Sequence, residues 1–116
     1  MVPGARGVGV DLETALPDRR TARILLTEQE RIELWPAGDL ATLRFLFTVK
    51  EAGFKALSDC RAAHGGLFWR VRLLSRDGRL WARAGHAQAG ITGGVHRWGA
   101  FALAVRTGED EIHQKQ

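Results

Sequence analysis

The 116-residue sequence has no apolar run long enough to cross a membrane, which excludes a transmembrane helix. Its first residues, Met1-Val2-Pro3-Gly4-Ala5-Arg6-Gly7, lack the apolar centre of a signal peptide, so no export is expected. The single cysteine, Cys60, cannot close an internal disulfide, and a cytoplasmic location is the expectation. Internal repeats, linkers and low-complexity tracts are missing as well. Lysine is scarce: of 17 basic residues only Lys50, Lys55 and Lys115 are lysines, and the rest are arginines. What remains is 45% hydrophobic, enough for a core and too much for a disordered chain. The length suits one domain over residues 1–108, followed by a polar tail at 109–116. Thirteen acidic residues leave a net charge of +4, which suits anionic partners, although the arginines are scattered along the chain.

Patterning predicts an α+β domain. In Gly7 to Glu13, Val8, Val10 and Leu12 alternate with Gly7, Gly9, Asp11 and Glu13, the period of a strand with its aliphatic face buried. Pro17 is placed to open a short helix through Ile24. Thr27-Glu28-Gln29-Glu30 is a capping box, so a helix starts at Glu28 and ends before Pro36 and Gly38. Asp39 is a plausible N-cap for a longer helix to about Ser58, with an apolar side of Leu40, Leu43, Phe47, Phe54 and Leu57. His64-Gly65-Gly66 reads as a loop. Leu67 to Leu74 and Arg79 to Ala84 read as strands joined by an Asp77-Gly78 hairpin turn. Gly85 to Val95 reads as a glycine-rich loop, and Trp98 to Val105, apolar on both faces, as a well-covered strand. The expected fold is an N-terminal strand and helices packed on a small, mostly antiparallel sheet completed by three C-terminal strands.

Two short segments carry candidate chemistry. Asp11 and Glu13 lie two apart on a strand and share one face, close enough to share a hard cation such as Mg²⁺. Phe47, Glu51 and Lys55 lie four apart on a helix, so one face offers a carboxylate for a metal and an ammonium for a phosphate. Each segment alone also fits a solvated polar strand face or an ordinary Glu–Lys helix pair. Gly53 reads either as tolerated filler or as a gap for close approach.

Taken together, the two segments resemble the 4′-phosphopantetheinyl transferases. Gly7-Val8-Gly9-Val10-Asp11-Leu12-Glu13 is similar to the family's Gly-Ile-Asp-Ile-Glu motif. Phe47 to Lys55 is similar to its Phe/Trp-x-x-Lys-Glu-x-x-x-Lys motif, and order and separation agree. Arg23-Ile24-Leu25-Leu26-Thr27-Glu28, Lys55-Ala56-Leu57-Ser58-Asp59 and Arg97-Trp98 extend the likeness to the C-terminal half of the enterobactin-synthase component D type. The resemblance implies a phosphopantetheinyl transferase-like fold. It also implies an enzyme that moves the 4′-phosphopantetheine arm of coenzyme A onto a serine of an apo acyl or peptidyl carrier protein. On that likeness Asp11, Glu13 and Glu51 surround Mg²⁺, Glu51 helps deprotonate the serine, and Lys55 holds the transferring phosphate. Lys50 contacts coenzyme A phosphates, and Phe47 packs behind the site. The family's two-half enzymes carry a Ser-His motif in a first half, and this chain corresponds to the second half alone. A homo-oligomer or a missing N-terminal half is therefore implied, with no nucleic-acid or membrane partner.

Other residues read as structure. His64, His86, His96 and His113 have no zinc-site spacing with Cys60. Trp69, Trp81 and Trp98 read as strand residues that pack, Trp35 as a helix end, and Gly85 to Gly94 as no phosphate loop. Two further readings are an inactive remnant of the transferase and a small basic module for nucleic acid, resting on Phe68-Trp69-Arg70-Val71-Arg72. The second leaves Asp11, Glu13 and Glu51 unexplained.

Overall fold

Two N-caps and one tight turn set the frame. Thr27 and Glu30 form the expected capping box, the Thr27 side chain accepting from the Glu30 amide and the Glu30 side chain from the Thr27 amide. The Asp39 carboxylate accepts from the amide of Thr42 and starts the long helix. Asp77 and Gly78 both take positive φ (54° and 74°), the backbone twist a two-residue hairpin requires. The computed structural model describes residues 5–58 and 66–107. In chain order these form β1 (Ala5–Glu13), a 3₁₀ turn (Arg19–Thr21), α1 (Ala22–Leu25), α2 (Glu28–Leu34), α3 (Leu40–Ala56), a 3₁₀ turn (Phe68–Arg70), β2 (Arg72–Arg76), β3 (Arg79–Ala84), β4 (Ala87–Val95) and β5 (Ala100–Thr107). The result is an α+β fold: three helices on one five-stranded antiparallel sheet of order β1-β5-β4-β3-β2. No helix of the described residues is long and apolar enough to cross a membrane.

The helix α3 lies across the sheet. Leu43, Leu46, Val49, Ala52, Ala56 and Leu57 pack on Ala82, Ala89, Ile91, Ala102 and Ala104. Small residues on the sheet let the helix sit close. On the helix side Gly53 does the same: a Cβ there would stand 2.5 Å from the Cβ of Ala82, so it serves close packing.

Several expectations are corrected. The face of β1 toward α3 is the one with Gly7, Gly9, Asp11 and Glu13, not the aliphatic one. Val8, Val10 and Leu12 are 37%, 59% and 57% exposed on the opposite face. The reason is steric: a Cβ at Gly7 or Gly9 would collide with the carbonyl oxygens of Ala56 or Ala52, so only a glycine face admits the helix. Val8, Val10 and Leu12 pair with Val105, Leu103 and Phe101 on β5, giving an aliphatic and aromatic sheet face that no helix covers among the described residues. Gly85 to Val95 is not a loop: only Gly85 and His86 turn, and Ala87–Val95 is a strand hydrogen-bonded on both sides. Leu67 to Leu74 opens as a 3₁₀ turn before β2. The helix expected from Pro17 is a 3₁₀ turn capped by Asp18, then α1. Trp98 precedes β5 in the turn after β4, half exposed and stacked on His96. Four C-terminal strands, not three, complete the sheet. The loop residues His64 and Gly65, Cys60, His113 and the tail 109–116 lie outside the described residues.

A buried ion pair fixes how α3 is rotated. Lys50 is wholly buried; its Nζ donates to the carbonyls of Leu25 (2.6 Å) and Trp69 (2.8 Å) and to Oε1 of Glu30 (2.9 Å). The other carboxylate oxygen of Glu30 accepts from the amide of Leu73 at 2.7 Å. One pair thus joins α1, α2, α3, the second 3₁₀ turn and the edge strand β2. Removing one partner strands a buried charge and several backbone groups. Glu30→Gln should lower unfolding free energy by about 3–5 kcal/mol, read by urea denaturation. A loss under about 1 kcal/mol would show that the pair does not hold these elements.

Candidate active site

The glycine contact between β1 and α3 brings the sequence-predicted acids and one lysine together. Helical spacing puts Arg44, Thr48, Glu51 and Lys55 on one stripe of α3, and Asp11 and Glu13 extend β1 along it. Lys55 Nζ donates to the carbonyl of Val10 at 2.9 Å and to Oδ1 of Asp11 at 3.2 Å. The Asp11 side chain is only 12% exposed, and its Oδ2 is buried without a hydrogen-bond partner among the described residues. Burial raises the pKa of Glu13, and the neighbouring carboxylates of Asp11 and Glu51 push it the same way. Burial also raises Glu51, with Asp11 adding to the shift and Lys55 opposing it. Three carboxylates therefore share one electrostatic site, with one ammonium at its edge.

This donor set has the chemistry of a hard-cation site. All its ligand atoms are oxygens, one of them is an orphaned buried acceptor, and like charges crowd together. As the side chains stand, no group of three His, Cys, Asp or Glu among the described residues is placed to hold a metal ion. Binding would require these carboxylates to reorganise around the ion.

Lys50 does not belong to this site, which corrects its assignment to coenzyme A phosphates. One residue from Glu51 on a helix is a 100° rotation, and it turns the Lys50 ammonium into the core, where three acceptors hold it. Burial lowers its pKa, against the pull of Glu30. Phe47 is half-buried and meets Phe68 edge-on at 5.1 Å. Phe68 and Trp69 themselves pack against the core rather than facing outward.

Sequence reasoning passed over Arg44. It is 6% exposed, with Nη1 donating to the carbonyl of Thr14 at 3.0 Å and Nη2 to that of His96 at 3.3 Å. It therefore ties α3 to the end of β1 and to the turn before β5. Its signal was present: Arg44, Glu51 and Lys55 form a charged i, i+7, i+11 stripe along the helix.

The raised pKa values carry a sign. Folding favours the protonated forms of Glu13 and Glu51. Their contribution to stability is full below the ordinary glutamate pKa of about 4.3 and is lost as pH rises through the raised values. Glu13→Gln should thus match wild type in thermal stability near pH 4. At neutral pH it should be more stable, by up to about 1 kcal/mol. A variant less stable than wild type at neutral pH would contradict the crowding of these acids. Comparison with protein-family models gives no match, and comparison with curated protein sequences gives none either.

Proposed function

We propose that this protein is a Mg²⁺-dependent 4′-phosphopantetheinyl transferase, taking the arm from coenzyme A and placing it on a serine of an apo carrier protein. The observation that carries the reading is the convergence of Asp11 and Glu13 from β1 with Glu51 and Lys55 from α3. Those four residues are the acids and the last lysine of the two family-like motifs, which also include Phe47 and Lys50. In this reading the serine oxygen bonds to the phosphorus of the arm as the phosphoanhydride bond breaks and adenosine 3′,5′-bisphosphate leaves. Glu51, with a pKa raised by burial, is suited to take the serine proton. Lys55 is half exposed and anchored through Asp11 and Val10, so its ammonium can offset charge on the transferring phosphate. Asp11, Glu13 and Glu51 would hold Mg²⁺, which supplies Lewis-acid neutralisation of the pyrophosphate when bound.

The uncovered sheet face favours a second unit in the working enzyme. Val8, Val10 and Leu12 stand more exposed than isolated strand aliphatics need to be, beside the half-buried Phe101, Leu103 and Val105. The reading as a stacking platform for nucleic acid loses its support, because Phe68 and Trp69 pack inward and Trp81 lies under Arg76 and Arg79.

Mass spectrometry of an apo carrier protein, incubated with this protein, Mg²⁺ and coenzyme A, tests the reading. The carrier should gain the mass of the arm, Glu51→Ala should reduce the rate at least about a hundredfold, and light scattering should show more than one chain per particle. No mass gain from folded, assembled protein would overturn it.

A further inference from the structure

The β2–β3 hairpin gathers four arginines on one face of the sheet. Leu73 and Ala82 are buried on the α3 side, so strand alternation turns Arg72, Leu74 and Arg76 of β2 to the opposite face. Register sets Arg83, Trp81 and Arg79 of β3 beside them. Arg72 with Arg83, and Arg76 with Arg79, are therefore like-charge pairs directly opposite each other, which lowers stability unless a counter-charge relieves it. The face supplies none: followed through the register of β4, β5 and β1, it carries no aspartate or glutamate. Asp77 lies in the connecting turn, and none of the four arginines pairs with a carboxylate among the described residues. Two of the guanidinia are also held in place. Arg76 and Arg79 lie 4.6 and 5.2 Å from the centre of the Trp81 ring. Arg79 Nε donates to the carbonyl of Ile91 at 3.4 Å. A Cβ at Gly90 would stand 2.7 Å from Arg79 Nη2, so the glycine keeps that seat open.

We infer that this arginine face docks a partner protein through an extended acidic segment, with carboxylates at positions i and i+4 and an apolar side chain midway. The spacing comes from the hairpin. Its two arginine pairs lie four residues apart along β2, about 14 Å at strand rise, with Leu74 and Trp81 between them. Carboxylates match guanidinia in bidentate pairs, and an apolar side chain matches the strip between. A second copy of this chain cannot supply the charge through the same face, which has no acid to offer. Nucleic acid fits less well, because Trp81 lies under guanidinia and presents no open ring to a base. This surface is independent of the transfer reaction. The hairpin and the Asp11 cluster lie at opposite edges of the sheet and on opposite faces.

NMR titration of the full chain with the end-blocked peptide Gly-Glu-Thr-Val-Thr-Glu-Gly tests it. The Trp81 indole N–H and the Nε–H signals of the four arginines should move saturably. Replacing both peptide glutamates by glutamine should weaken binding at least about tenfold. Arg72→Gln combined with Arg83→Gln should weaken it as much. Both side chains are exposed, so that variant should keep or gain thermal stability as a repulsive pair is removed. Arg19→Gln combined with Arg23→Gln removes the same charge at exposed positions elsewhere and should leave binding unchanged. Absence of saturable shifts, equal binding of the glutamine peptide, or equal weakening by the Arg19 and Arg23 changes would each overturn the inference. Tighter binding of an eight-nucleotide oligothymidylate than of the peptide would overturn it too. So would binding seen only after Glu109→Gln, Asp110→Asn and Glu111→Gln, which would make the chain's own acids the occupant.

Discussion

The approach of α3 to β1 is the constraint on which the site depends. Ordinary helix-on-sheet packing separates the backbones by two layers of side chains. Here Gly7 and Gly9 remove one layer, and the helix carbonyls of Ala52 and Ala56 occupy the space. The acids that follow on the same face, Asp11 and Glu13, then have nowhere to go but along the helix. There they meet Glu51 and Lys55. The same contact turns Val8, Val10 and Leu12 away from the core. One steric choice therefore accounts for both the acidic cluster and the uncovered apolar face.

Three cations of α3 show how position decides role. Lys50 is buried and saturated by Glu30 and two carbonyls, so it organises the fold and has no donor left for a ligand. Lys55 is half exposed and anchored at its tip, which leaves it available to solvent-borne phosphate. Arg44 is buried like Lys50, yet among the described residues it has no carboxylate partner and instead ties α3 to the carbonyls of Thr14 and His96.

Much of this was legible in the sequence where a local rule has a single solution. The capping box at Thr27, the Asp39 cap and the Asp77-Gly78 turn each satisfy named backbone groups, and all three form as read. The pairing of Asp11 with Glu13, and of Glu51 with Lys55, followed from strand and helix periods alone. The errors lie where a pattern permits two outcomes. Alternation in β1 distinguishes two faces without saying which is covered, and hydrophobicity favours the valines while sterics favour the glycines. In β4 the glycines suggest a loop, yet a Cβ at Gly93 would meet the β5 backbone and one at Gly90 the guanidinium of Arg79. They are strand residues selected for tight contact. Lys50 sits beside Glu51 in sequence and far from it in direction, a distinction that only the helix's orientation on the sheet supplies.

At the centre stands a carboxylate cluster assembled by backbone contact, whose donors are all oxygens, the kind a hard cation takes. Amide NMR with substoichiometric Mn²⁺, which shares the oxygen-ligand preference of Mg²⁺ and broadens nearby resonances, tests it most directly. Residues 9–13 and 48–55 should lose intensity first, and excess Mg²⁺ should restore them. Broadening spread evenly over the chain, or centred on Asp77 at the hairpin turn, would contradict it.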